Sequence, residues 1–206
     1  MPRVNFNYWA LHYLNLWLSR DRRFCEALEG HDEAAKLQAL SEAATFYKVA
    51  RNLPKAFDIE KKFPRYKPVL DVIDALNPSM FQGSRLIPSI EQVRSHISER
   101  YGDLGVTSLT TEFLWLKMKS PIIIYDSRAR KALGMKADSL RAYYEKWRER
   151  FDSSCNEINA ACASLPKVHQ YSEDPELATP RYIERIASQP WFRERVFDVY
   201  LWTKGS

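Results

Sequence analysis

The sequence predicts an all-α fold. Apolar residues recur at three- and four-residue steps through most of the chain, no segment alternates as a β-ladder requires, and Pro, Gly and capping residues fall between the periodic stretches. There is no internal repeat. A chain of 206 residues suits one domain with a sizeable core, so a single domain over 1–206 is expected, with room for two helical lobes and a cleft between them.

The first helix is expected over Asn5–Ser19, where Phe6, Trp9, Tyr13, Leu16 and Trp17 recur at helical spacing. Such an aromatic stripe is either a buried face or a surface for a protein partner, and the stripe alone leaves both open. A second helix is expected from about Asp32 to Asn52, with Ala35, Leu37, Leu40, Ala44, Tyr47 and Val49 as its inner face and Pro54 ending it. The third spans Lys67–Leu76 with Pro68 in its first turn, and Asn77–Pro88 reads as a loop. The fourth, Ser89–Tyr101, takes Ser89 as its cap and turns Ile90, Val93 and Ile97 inward. After the connection 101–107 a helix follows near Ser108–Lys119 and stops at Ser120-Pro121. Ile122–Tyr125 is a short apolar run, and Asp126 opens a helix that ends near Gly134. Helices over Asp138–Phe151 and Ser153–Ser164, a linker over Pro166–Pro180, and a final pair near Arg181–Ser188 and Pro190–Trp202 complete the expected order. Gly205-Ser206 reads as an appended tail.

Composition removes several classes of function. Hydrophobic residues make up 45% of the chain and aromatics 13%, too many for a disordered protein. No glycine falls in G-x-G-x-x-G or G-x-x-x-x-G-K-[ST], so dinucleotide and P-loop chemistry are not indicated. Three cysteines without C-x-x-C argue against a disulfide framework or a zinc knuckle, and Cys155 and Cys162, seven apart, read as one buried stripe. His12, His31, His96 and His169 never stand four apart, so no helical metal site is expected. The N-terminus lacks a signal-peptide pattern and no apolar run is long enough to span a bilayer, so the expected compartment is the cytosol, with no membrane partner.

Charge is uneven. The formal net charge is +5, but residues 51–67 carry six basic side chains (Arg51, Lys55, Lys61, Lys62, Arg65, Lys67) against Asp58 and Glu60, and residues 117–150 carry ten against four. The rest of the chain is acidic. This asymmetry fits either a face that meets phosphate or ordinary solvated helix surfaces. Lys48, Arg51 and Lys55, at steps of three and four, share one face of the expected second helix.

Residues 101–134 are more specific. Gly105-Val106-Thr107-Ser108 precedes a helix start, whose unpaired N–H groups can receive a phosphate. Seventeen residues beyond Leu109 stands Asp126, in Pro121-Ile-Ile-Ile-Tyr125-Asp126-Ser127-Arg128-Ala129-Arg130-Lys131-Ala132-Leu133-Gly134. An Asp at a helix start caps the first turn, which by itself accounts for Asp126.

The pattern resembles the helix-hairpin-helix DNA glycosylase superfamily, and within it the bacterial 8-oxoguanine-glycosylase-like branch. Tyr47-Lys-Val-Ala-Arg-Asn-Leu-Pro54 and Trp191 to Trp202 are similar to the same branch. The resemblance implies a helical glycosylase-like bundle in which Gly105, Val106, Thr107 and Ser108 hold double-stranded DNA at its backbone. Asp126 is then the catalytic carboxylate, set beneath the sugar to stabilise positive charge as a flipped-out base leaves. Arg128 and Arg130, with Lys48, Arg51 and Lys55, become candidate phosphate contacts. Trp9, Tyr13, Tyr47 and Trp115 become candidate walls of a base pocket, with Trp17 also available. Strand-nicking members carry a lysine near the position of Leu109, which cannot form a Schiff base, so a monofunctional glycosylase is implied. Some relatives hold an iron–sulfur cluster on four cysteines, and with three no cofactor is expected. The target is a damaged or modified base, a modified phage base in antiviral defence being as suitable as an oxidised guanine. The hairpin lacks the family's second glycine, which favours the alternative of a non-catalytic DNA- or nucleotide-binding module. A further alternative is an interaction subunit docking a protein through the aromatic N-terminal helix.

Overall fold

In the computed structural model, residues 4–56, 64–136 and 139–206 are described, and every regular element among them is helical. Asp58, Glu60, Lys61, Lys62 and Asp138 lie outside the described residues. Contacts along the chain cluster into two units, Met1–Arg22 with Tyr125–Ser206, and Arg23–Ile124.

In the first unit, α1 (Phe6–Leu16) buries Phe6, Ala10, Tyr13 and Leu14. It runs into a wide π-type turn, Trp17–Asp21, which places Trp17, Leu18 and Asp21 inside. The aromatic stripe is therefore mostly core. Trp17 lies 4.6 Å from Trp191 and donates its indole N–H to the Tyr182 hydroxyl at 2.9 Å. After α7 (Ser127–Ala132) comes α8 (Leu140–Ser164), capped by Ser139. This single helix replaces the two expected over the same residues. Asp152 and Ser153 are weak helix formers but exposed, and without Pro or Gly they do not break a helix whose Trp147 and Ile158 are buried. Leu165–Tyr171 forms a 3-10 segment inside the expected linker, followed by α9 (Pro180–Ala187) and α10 (Pro190–Lys204). α10 packs on α1, α7 and α8, and its Phe192, Val196 and Phe197 complete the core with Tyr13, Tyr143 and Trp147. Cys162 is buried and its thiol is pushed up to about 12 by desolvation, whereas Cys155 is only half-buried, which corrects the shared stripe.

The second unit begins with helix α2 (Arg22–Glu29), an element the sequence reading omitted although Phe24, Cys25 and Leu28 have helical spacing and are buried. α3 (Glu33–Tyr47) is capped by Asp32 and stops at Lys48, which takes the left-handed conformation at φ +57°. The helix thus ends well before Pro54, and Lys48, Arg51 and Lys55 do not share a helical face. α4 (Lys67–Asp74) starts with Pro68 as expected, and Asn77–Pro88 folds into two 3-10 turns and the first turn of α5 (Leu86–Glu99). Ser89 is not a cap. Pro88 fits the first helical turn, so the helix starts earlier, and the Ser89 hydroxyl donates to the Met80 carbonyl at 2.7 Å. α6 (Thr107–Met118) buries Leu109, Phe113, Leu114 and Trp115 against a core that includes Val69, Ile90, Val93 and Ile97.

No helix among the described residues is long and apolar enough to cross a membrane.

Candidate functional site

Asp126 is set by local backbone physics. The chain arrives extended, with φ −131° and ψ 141°, and turns into α7. One carboxylate oxygen, Oδ1, accepts the N–H groups of Arg128 at 2.7 Å and Ala129 at 3.2 Å. Asp126 therefore is a helix cap, and the cap fixes its carboxylate, which stays part-exposed. The buried Tyr143 hydroxyl hydrogen-bonds the Asp126 backbone, and Tyr143 packs edge-on against Tyr125, with ring centres 4.9 Å apart. Gly134 ends the turn after α7 at φ +72°.

Beside this start lies an open hollow of about 560 Å³, formed by α7, the segment after it and the end of α10. Arg128, Arg130, Lys131 and Lys136 line it, and among the described residues no acidic one does. Arg128 lies 4.6 Å over the Trp202 ring and donates to the Ser206 hydroxyl at 3.1 Å, while Arg130 donates to the Tyr125 hydroxyl at 3.1 Å. Gly205 closes one side against the α7 backbone. A Cβ there would stand 1.9 Å from the Arg128 carbonyl oxygen, so the residue is a fitted contact.

Behind α7, the buried face of α10 carries charge. Trp147 donates its indole N–H to Asp198 Oδ1 at 2.7 Å, and Arg195 lies between Asp21 at 3.4 Å and Asp198 at 3.9 Å. Burial, reinforced by the negative charges of Glu194 and Asp126, pushes the Asp198 carboxyl up to about 7 against the opposing pull of Arg195 and Trp147. The sequence reading missed this cluster. Its signal was present, since Arg195 falls on the apolar stripe of Phe192, Val196 and Val199, where a solvated charge has no place.

The basic blocks sort by what each cation touches. Lys117 pairs with Asp74 and the Leu28 carbonyl, Lys119 with Glu29, Lys146 with Glu149, and Arg148 with Glu194. Arg65 ties down the Ala50 and Leu53 carbonyls, and Lys67 pairs with Glu33 and Asp71. Six cations of the two blocks are thus tied to carboxylates or carbonyls of the fold, and four others line the hollow. Lys48, Arg51 and Lys55 are exposed in the turn after α3.

The hairpin belongs to the second unit. Gly102 at φ +77° and Asp103 at φ +61° make the turn, with Ser98 Oγ donating to the Leu104 carbonyl at 2.7 Å. Gly105 is exposed, Val106 is buried, and Thr107 and Ser108 are half-buried. Val106 supplies no side-chain acceptor to the first N–H groups of α6. Of the candidate pocket aromatics, Tyr13 and Trp115 are core residues, 0% and 1% exposed. Trp9 and Tyr47 are half-buried, Trp9 against Tyr8, His12 and Tyr200.

Neither a family model, a curated protein nor a solved structure matches this chain.

Proposed function

We propose that the protein is a monofunctional DNA N-glycosylase that flips out a damaged or modified base and hydrolyses its glycosidic bond at Asp126. The observation that carries the reading is a carboxylate fixed by its own helix start, part-exposed, next to a hollow lined by four cations. As the C1′–N bond breaks, positive charge grows on the deoxyribose, and a fixed anion stabilises it without reorganising. Water adds hydroxide to C1′ and its remaining proton ends on the departing base, leaving an abasic site. The cations of the hollow supply attraction for the phosphates on either side of the extruded nucleotide. Leu109 offers no amine for a lyase step. A modified base in phage DNA is the substrate that suits an antiviral role.

The test is abasic-site formation on oxidised-guanine duplexes and on phage DNA with modified bases, comparing wild type with Asp126→Asn. Asparagine caps a helix as well as aspartate does, so the substitution removes charge and leaves the helix start. Abasic sites made by the wild type and lost in the variant support the reading, while activity surviving in Asp126→Asn moves the chemistry elsewhere. A non-catalytic binding module is favoured by one observation, that the Asp126 hydrogen bonds are those of a cap. Silence of both proteins, with salt-sensitive DNA binding intact, would decide for it.

A further inference from the structure

We propose that the face formed by α7 and the end of α10 binds a single-stranded segment of nucleic acid, with one base stacked on Trp202 and the adjacent phosphates in the basic hollow. The inference deepens the glycosylase reading and rests on it only for the identity of the strand as substrate. Trp202 is one of the few large apolar side chains left exposed among the described residues, at 46%. The indole stands outside the core that α10 buries, so its face is open to a ligand. The guanidinium of Arg128 lies 4.6 Å from its ring centre, so the aromatic ring and the cation of the hollow form one continuous element.

The combination is selective in chemical terms. A ring that keeps nearly half its surface open can stack any base, because every base has a π-face, and stacking is worth about 1–3 kcal/mol per base in such sites. Duplex DNA cannot offer that face, since its bases are already stacked. Arg128, Lys131 and Lys136, with no acidic residue among the described lining, supply the attraction for successive phosphates, which a lone nucleotide cannot fully use. A protein partner would have to desolvate the cations of a hollow whose described lining is mostly polar, which makes it the weaker match. Substrate presented next to an unpaired stretch would then be preferred over an intact duplex, because the cost of opening the stack has already been met.

The experiment is fluorescence anisotropy of a labelled twelve-nucleotide thymidine strand and of a duplex of equal length, across a salt series. The proteins are wild type, Trp202→Ala, Trp202→Phe and Lys131→Ala. We expect the single strand to bind more tightly than the duplex, with about tenfold weaker binding in Trp202→Ala and partial recovery in Trp202→Phe. In Lys131→Ala the slope of log affinity against log salt should fall by about 0.7. Single-strand binding unaffected in Trp202→Ala, or duplex bound as well as the strand, overturns the inference. Complete displacement by thymidine monophosphate at equal nucleotide concentration also overturns it, by assigning a mononucleotide site. Trp202-dependent strand binding without abasic-site formation would sustain the inference while the glycosylase reading falls, and abasic-site formation with a silent Trp202→Ala would do the reverse.

Discussion

Two helix starts follow one another along this chain, and they are built differently. α6 begins after Gly105 and Val106, and Val106 offers its first N–H groups no side-chain acceptor, whereas α7 begins with Asp126 accepting two. Val106 is buried and holds the α6 start by packing, while Asp126 holds the α7 start by charge-assisted hydrogen bonds. The first leaves backbone donors without a side-chain cap. The second satisfies its donors and in doing so immobilises a carboxylate. Only the second start fixes a charged side chain, the kind of group that the proposed reaction needs.

The largest effect that would break the comparison is on activity. Asp126→Asn should lower abasic-site formation by about 10³-fold, the size of loss seen when one preorganised electrostatic group is removed. Asp126→Ala should lose as much activity and about 1 kcal/mol of stability besides, measured by urea denaturation, because the cap goes with the charge. Equal activity loss with unequal stability loss would separate the two duties of one residue.

Next in size is a pH effect behind α7. Asp198 is held up to about 7 by burial, against about 3.9 for an unfolded aspartate. The folded state therefore keeps a proton that the unfolded state gives up. The stability linked to this group is full below about pH 4 and is lost as pH rises through about 7, on the order of 4 kcal/mol over the window. Arg195, Trp147, Glu194, Asp126 and Tyr143 are the groups acting on or adjoining it. The melting temperature should fall between pH 5 and 8, and in Asp198→Asn that slope should flatten. A wild-type melting temperature that rises over the same range would mean that Asp198 is ionised throughout.

Much of the α7 side was legible in the sequence and much of the rest was not, for reasons particular residues make plain. Asp126, Gly134 and Pro68 act through local backbone geometry, which adjacent residues specify, and the expected boundaries there agree with the structure. Lys48 ends α3 by a left-handed turn that lysine seldom adopts, so spacing alone extended that helix by a turn and aligned three cations on a face that does not exist. Asp152 and Ser153 suggested a break that the packing of Trp147 and Ile158 overrides. The Asp21–Arg195–Asp198 cluster joins residues distant along the chain, and only tertiary packing brings them together. The four cations that line the hollow were visible as charge, but their gathering at one hollow, while Lys117 and Lys119 pair with Asp74 and Glu29, was not.

A fitted contact ranks third. Gly205→Ala would place a methyl group 1.9 Å from the Arg128 carbonyl oxygen, a backbone atom that cannot rotate away. The end of α10 must shift from α7, at a cost of about 2 kcal/mol, which thermal denaturation would read. A neutral Gly205→Ala would mean that this junction is loose and the hollow has one wall fewer.

The smallest effects distinguish the two glycines of the hairpin and bear on how the α6 start is held. Gly105 stands just before the helix, yet a Cβ there meets nothing within 4 Å and its backbone is not left-handed. Gly102, at φ +77°, occupies the conformation that side chains disfavour. Gly102→Ala should therefore cost about 1 kcal/mol in urea denaturation, while Gly105→Ala should be neutral within about 0.5 kcal/mol. If the hairpin grips DNA through its backbone, Gly105→Ala should instead weaken duplex binding without touching stability, because the added methyl projects into open space where a phosphate must approach. Loss of binding in Gly105→Ala at unchanged stability would make α6 a phosphate site despite its missing second glycine. Unchanged binding would leave α7 as the functional start of the two.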